Sequence, residues 1–168
     1  MDFGLAIARL VFGLLMAAHG AQKLFGWFGG YGLTAVAGFF ESLGFRPGRV
    51  FAVIAALAEV TSGLLVALGL LGPVGPALML SVMIVAAVSV HGKNGVFATS
   101  NGIEVPLLYG AAAAALALTG HGRYSLDAWL GVGSMWTPAL AWTALGVGIA
   151  GGVANLAIRR PASAIATA

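Results

Sequence analysis

Five polar side chains interrupt apolar stretches of this sequence in a pattern that suggests a binding site: His19, Gln22, Lys23, Glu59 and His91. The headgroup of a quinone needs hydrogen-bond donors at both carbonyl oxygens and an apolar channel for its tail. Imidazole, amide and ammonium groups supply such donors. We therefore expect these five residues to form a cofactor-binding layer for a quinone. An ordinary polar interface remains the alternative, with the two histidines in structural roles.

Other cofactors are disfavoured by the residues themselves. His19 and His91 could ligate a haem from two helices, but no haem-specific signature accompanies them. The chain has no Cys, which excludes thiolate metal sites, iron–sulfur clusters and Cys nucleophiles. No metal site is predicted. No nucleophile–base pair is visible either, so no catalytic residue is assigned.

Arg9 and Glu59 are charged residues inside apolar stretches, where a charge is costly and marks a functional hypothesis by default. At helical spacing, Arg9, His19 and Lys23 share one face. We expect Arg9 and Glu59 to face the bundle interior as a buried charge pair that fixes helix register. Two alternatives stay open for the same residues: a ligand-binding or proton-binding site, or charges that snorkel to the membrane surface without partners.

A polar segment late in the chain predicts a structural latch. Ser125 can cap a short helix that starts at Leu126, with Asp127 favourable in its first turn. We expect Arg123 to pair with Asp127 and so to close the bundle at this end.

Composition indicates what positions these residues. Of the 168 residues, 60% are hydrophobic and only 8% are charged, whereas soluble domains have about 25% charged residues. The chain is therefore expected to be an all-α polytopic membrane bundle, because bare backbone cannot face lipid. We predict one transmembrane domain over residues 1–160 and a disordered tail over 161–168. The predicted spans are about 3–25, 50–71, 77–91, 105–119 and 136–158.

Basic residues predict the orientation of this bundle. With five spans, the N-terminus, the 72–76 turn and the 120–135 loop lie on the same side of the membrane, which we call side A. The opposite side, side B, then holds six of the eight basic residues, which makes it cytoplasmic. The 26–49 connection contains an amphipathic piece at 34–43 that is too short to cross, so we interpret it as interfacial or re-entrant. The net charge of +3 thus reflects membrane orientation and not nucleic-acid binding.

Glycines in the last span form a string that resembles a dinucleotide-binding motif. Gly146, Gly148 and Gly151 have the right spacing, but no strand precedes them, so phosphate binding is not expected. Gly148 and Gly152 instead predict close helix packing.

Several short motifs, taken in order, resemble the DoxX family. They are Arg9-Leu10-Val11, His19-Gly20, Lys23-Leu24-Phe25-Gly26, Ala58-Glu59, Gly63-Leu64-Leu65, Glu104-Val105-Pro106-Leu107-Leu108 and Gly122-Arg123-Tyr124-Ser125-Leu126-Asp127. The resemblance implies a small multi-pass protein of the bacterial plasma membrane with a DoxX-like core of four helices. The fifth, C-terminal span lies outside that core. Some relatives are linked to quinone-dependent sulfur oxidation or to membrane oxidoreductase complexes.

The leading functional hypothesis is a membrane subunit of a redox, quinone-linked assembly that anchors partners or contacts quinone, and that is not catalytic alone. Its expected partners are the lipid bilayer and other membrane or membrane-associated subunits, with no nucleic acid. Two alternatives stay open: a small-molecule or proton-coupled transporter, in which Glu59 would titrate beside His19, and a purely structural scaffold.

Overall fold

The fold is a bundle of α-helices, seen here in a computed structural model that describes residues 2–160. The predicted tail, 161–168, lies outside the described residues. Within them no strand occurs, which confirms the all-α prediction. The α-helices are α1 (Asp2–Phe25), α2 (Gly32–Ser42), α3 (Gly48–Leu68), α4 (Val74–Ala86), α5 (Glu104–Thr119), α6 (Leu126–Trp129) and α7 (Pro138–Ala157).

In the part of the chain that the structure describes, four helical segments are long and apolar enough to cross a membrane: Asp2–Phe25, Gly48–Leu68, Val74–Asn94 and Pro138–Ala157. The third of these includes α4 and its continuation as a π-helix over Ala87–His91. Helix α5 corresponds to the predicted span 105–119, and its 16 residues extend about 24 Å. The hydrocarbon core of a bilayer is about 30 Å thick, so α5 is about 6 Å shorter than this core.

The two predicted helix ends at the α3–α4 turn differ from the observed ones by three residues. Helix α3 ends at Leu68 and not at residue 71, because Gly69 adopts a left-handed conformation with φ 63° and caps it. Helix α4 begins at Val74 and not at residue 77. Pro76 is accommodated there because the first turn of a helix needs no N–H donor from it.

The connection between α1 and α3 remains on side B. Helix α2 has 11 residues, which is about 16 Å and too short to cross. It packs mainly against α3, and Glu41 Oε1 accepts a hydrogen bond of 3.2 Å from the Gly48 backbone N–H. Helix α3 therefore returns beside α1 in the opposite direction.

Glycines bring two pairs of helices into backbone contact. A Cβ on Gly13 would lie 2.5 Å from the Ala67 backbone nitrogen, and one on Gly20 would lie 2.6 Å from the Ala56 carbonyl oxygen. Helices α1 and α3 are therefore antiparallel and closely packed. On α7, Gly148 and Gly152 abut the backbone of α4 in the same way, which confirms the predicted helix packing through these two glycines.

The buried core lies among four of the long helices. Its members are Met16 of α1, Val66 of α3, Met79 of α4, and Tyr109, Ala113 and Leu116 of α5. Many apolar side chains on the outside of the bundle are exposed, as expected for a surface that contacts lipid.

The predicted orientation can be tested by cysteine labelling, because the chain has no native Cys. Thr99 on side B and Ser134 on side A are both exposed. We expect a membrane-impermeant maleimide to label S134C in intact cells, and to label T99C only after permeabilisation. Ser125 is a poor position for this experiment because its side chain is buried and caps α6. If T99C is labelled in intact cells and S134C is protected, the orientation is the reverse of the predicted one.

Candidate functional site

A buried ion pair joins α1 to α3 in the side B half of the bundle. Lys23 Nζ lies 2.6 Å from Glu59 Oε1 and 2.5 Å from Glu59 Oε2. The Glu59 side chain is 7% exposed and that of Lys23 is 26% exposed. Within residues 2–160 this is the only ion pair between side chains. The site thus has two opposite charges that neutralise each other inside the membrane.

The predicted Arg9–Glu59 pair is wrong. Side chains on a helix lean toward its N-terminus, and α1 and α3 run in opposite directions. Lys23 and Glu59 therefore lean toward each other, whereas Arg9 leans toward side A and away from Glu59. Arg9 does face the bundle interior and is 4% exposed, but its guanidinium donates to the backbone carbonyls of His121 and Tyr124.

A cavity of about 460 Å³ lies beside the ion pair. Its polar lining includes Gln22, Lys23 and Tyr31 from α1 and the loop after it, Glu59 from α3 and His91 from the end of the π-helix. The rest of the wall is largely apolar and comes mainly from α2, α3 and α4, with residues such as Val36, Phe39, Phe40, Ile54, Leu78 and Val82. The cavity is therefore amphipathic, with a polar end and an apolar body.

Four of the five predicted cofactor-binding residues line this cavity, namely Gln22, Lys23, Glu59 and His91. His19 does not line it. Its Nδ1 lies 3.1 Å from Gln22 Oε1, and Gln22 Nε2 donates to the Phe28 carbonyl at 3.1 Å. His19 therefore orients the Gln22 side chain from outside the cavity. The structure brings the five residues together, while their role toward a cofactor stays a prediction.

His91 reaches the cavity at the end of the π-helix Ala87–His91. Such wide turns often occur at functional sites. His91 Nδ1 lies 2.9 Å from the Asn101 carbonyl oxygen. A carbonyl oxygen only accepts, so Nδ1 carries the proton and Nε2 of the neutral ring remains an acceptor.

Sequence analysis missed several residues of the cavity wall. The aromatic side chains Phe39, Phe40 and Phe45 come from α2 and the turn after it, and Asn155 comes from α7. In the loop 27–31, which follows α1, only Gly29, Gly30 and Tyr31 line the cavity. An isolated Asn in an apolar helix was a visible signal for Asn155, but nothing in the sequence indicated that α7 adjoins this site.

The DoxX family model matches residues 4–92, which is more than half of the chain. The chain belongs to the DoxX family. The match runs from α1 to the first residue after the π-helix, and therefore includes Lys23, Glu59 and His91. Helices α5 to α7 lie beyond the matched residues of this DoxX protein. No curated protein and no solved structure matches the chain.

Family membership and the apolar helices together identify a membrane protein of the DoxX family. Among the described residues, no group of three or more His, Cys, Asp or Glu side chains lies close enough to hold a metal ion. The side chains that line the cavity of the DoxX protein offer hydrogen bonding and charge, from an ammonium, a carboxylate, an amide, a phenol and an imidazole.

The latch on side A exists, but Arg123 is not its partner. Asp127 is fully buried and accepts hydrogen bonds from the backbone N–H groups of Leu71 at 3.0 Å and Gly72 at 2.6 Å. The α3–α4 turn thus uses the carboxylate that was predicted to bind Arg123. The Arg123 guanidinium instead lies over the Tyr124 ring, 5.9 Å from its centroid. Ser125 caps α6 as predicted, accepting from the Ala128 N–H at 3.2 Å.

Removal of one partner of the Lys23–Glu59 pair is expected to destabilise the protein. The cost of an uncompensated buried charge is about 3–5 kcal/mol, and the lower end applies here because Lys23 is one-quarter exposed. E59Q and K23M should each lower the thermal unfolding temperature in mild detergent. The double variant K23M/E59L should recover most of the loss, since an apolar replacement of a buried pair is often neutral.

Lys93 provides the matched control, because it is an exposed lysine on the same side of the membrane. K93M should change stability by no more than about 0.5 kcal/mol. An E59Q variant as stable as the wild type would refute the structural role of the pair.

The two residues of the predicted latch should differ sharply in mutagenesis. D127A leaves the backbone N–H groups of Leu71 and Gly72 without their acceptor, and hydrogen bonds to a charged group contribute about 1.5–3 kcal/mol. R123A removes a surface cation and should cost no more than about 0.5 kcal/mol. Thermal unfolding and proteolysis of the 120–135 loop would measure both. Equal losses of stability in the two variants would instead support the predicted Arg123–Asp127 pair.

Proposed function

We propose that this DoxX protein binds the headgroup of a membrane quinone at the polar end of its cavity, as a membrane subunit of a redox assembly in the bacterial plasma membrane. The observation that carries the proposal is the amphipathic cavity itself. Ligand cavities typically have volumes of about 300–1,000 Å³ and combine apolar walls with a few polar groups. A volume of about 460 Å³ suits a ring with the first part of an apolar tail.

The polar end offers hydrogen bonds of both kinds. Lys23 Nζ has three N–H donors, of which two are directed at the Glu59 oxygens, so one donor is left for a carbonyl oxygen. His91 Nε2 is an acceptor in the neutral ring and suits the hydroxyl group of a reduced quinone. A donor and an acceptor in the same cavity fit both redox forms of such a headgroup.

The position of the cavity favours a ligand that is dissolved in the bilayer. Phe39 and Ile54 line the cavity, yet 48% and 52% of their surfaces are exposed. The same side chains thus contribute to the cavity wall and to the lipid-facing surface, so an apolar tail can extend between them into lipid. This arrangement supports an amphiphile as ligand over a water-soluble metabolite.

The proposed role requires partner proteins. With no Cys in the chain, neither an iron–sulfur cluster nor a redox disulfide can be built here. We propose that electrons reach the quinone from another membrane or membrane-associated subunit. In this view the DoxX protein binds the quinone and anchors that partner, and it is not catalytic alone.

Proton-coupled transport is the second candidate, and one observation favours it. The Lys23–Glu59 pair lies on the cavity wall inside the bundle, and ionisable residues at such positions often belong to proton or ion pathways. In this alternative, protonation of Glu59 would release Lys23 and change the charge of the cavity.

Extraction of the purified protein tests the proposed function. The protein, isolated in mild detergent, should contain an organic-extractable quinone, or should bind a short-tail quinone when it is added. H91A and K23M should bind several-fold less quinone, while K93A, an exposed lysine on the same side, should bind as the wild type does. H19A should have a smaller effect because His19 acts through Gln22.

Three other results would each redirect the interpretation. Proton-coupled uptake into vesicles without quinone binding would favour the transporter. Partner proteins that co-purify without any quinone would favour a purely structural scaffold. A Soret band would indicate haem instead of quinone.

A further inference from the structure

Asn155 is a polar residue of the cavity wall that the proposed function leaves unused. It lies in α7, a helix outside the residues that match the DoxX family model. Its side chain lines the cavity and is half-buried. Within residues 2–160, none of the side-chain hydrogen bonds involves Asn155, whereas Thr143 of the same helix donates to the Ala139 carbonyl at 2.9 Å.

An amide group without a partner is costly in an apolar environment. Its transfer out of water costs at least about 1–3 kcal/mol by mutational data, and polar residues inside membrane helices usually face the bundle interior. The Asn155 amide has two donors and an acceptor, so a ligand in the cavity can satisfy it.

Helix contacts give the depth of Asn155. On α7, a Cβ on Gly152 would lie 3.0 Å from the Ser81 carbonyl oxygen of α4. Helices α4 and α7 run in the same direction, since Gly148 abuts Ala77 and Gly152 abuts Ser81. Asn155, three residues further along α7, is therefore level with Ile84 of α4.

The ion pair lies at nearly the same depth. A Cβ on Gly75 of α4 would lie 2.7 Å from Leu65 Cβ of α3 and 3.2 Å from the Val66 nitrogen. Because α3 runs opposite to α4, Glu59 is level with residues 81–82 of α4. The offset from Asn155 is two to three residues, or about 3–5 Å along the axis. The directions of the side chains reduce this offset, because Glu59 leans toward side B and Asn155 leans toward side A.

We propose that Asn155 is a specificity-determining residue that binds the ligand from α7, a different helix of the cavity wall from the two that carry the Lys23–Glu59 pair. The polar ring of the ligand then lies between an ammonium–carboxylate pair on one side and an amide on the other. Such a site selects rings with two polar groups on opposite edges, as in a para-quinone, over lipids with a single polar head. The inference rests on the proposed function and defines its substrate class.

The test compares two probes that share a ten-carbon tail: a para-benzoquinone, with two opposed carbonyl groups, and a phenol, with one hydroxyl group. Dissociation constants are measured by equilibrium dialysis on the detergent-solubilised full chain. N155L should weaken quinone binding about three- to tenfold, the equivalent of one lost hydrogen bond, and change phenol binding less than twofold. If the phenol does not bind the wild type at all, that result also supports a requirement for two polar groups on the ligand.

T143V is the matched control, because Thr143 lies on the same helix but hydrogen-bonds within it and is exposed. It should leave both dissociation constants unchanged. N155A provides a second, smaller substitution in case N155L does not fold, and unfolding temperatures within the wild-type range show that the fold is intact.

The outcomes separate the two proposals. Suppose that the wild type binds quinone and that K23M and H91A bind it much more weakly. If N155L and N155A then bind as the wild type does, the role of Asn155 is refuted and the proposed quinone site is not. Equal weakening of quinone and phenol by N155L also refutes it, since that pattern indicates an effect on cavity shape. A wild type that binds no quinone refutes the proposed function itself.

Discussion

The Lys23–Glu59 ion pair is the interaction on which the side B half of the bundle depends. A carboxylate that is 7% exposed inside a membrane needs a counter-charge, because the desolvation cost of an isolated ion is several kcal/mol. Lys23 supplies that charge from the last turn of α1, and its long stem reaches back along the helix to do so. The pair therefore fixes the register of α1 against α3 and also places an ammonium group at the edge of the cavity.

Glycine contacts decide where the bundle is closed and where it is open. Backbone contact at Gly13 and Gly20 holds α1 against α3, and Gly148 and Gly152 hold α7 against α4. Between these two closely packed pairs, α3 and α4 leave the space that α2 partly covers. On side A the same bundle is closed by hydrogen bonds to the backbone. Arg9 donates to carbonyls of the 120–135 loop, and Asp127 accepts from N–H groups of the α3–α4 turn. The side A end is thus closed by these hydrogen bonds, and the side B half holds the cavity.

The helices beyond the DoxX match complete this arrangement. The matched residues 4–92 contain the ion pair and the π-helix, but they lack Tyr109 and Leu116 of the core and Asn155 of the cavity wall. Helix α7 adds a polar group to a cavity whose other lining residues fall within the matched region.

The sequence alone determined the class of protein, the helices and the polar layer. Apolar composition requires a membrane bundle, and helical periodicity places Gln22, Lys23, Glu59 and His91 at one end, where the structure shows them around one cavity. Local signals were also sufficient for the Ser125 cap and for the glycines of α7.

Only the tertiary structure decided which partner each buried charge has. Arg9 binds the carbonyls of His121 and Tyr124, and Asp127 binds the N–H groups of Leu71 and Gly72. Backbone groups carry no sequence signal, so such partners cannot be deduced from residue types. The direction in which side chains lean separated Arg9 from Glu59 and joined Glu59 to Lys23. The contribution of α2 and Asn155 to the cavity depends on which helices are neighbours, and periodicity gives the face of each helix without naming what it faces.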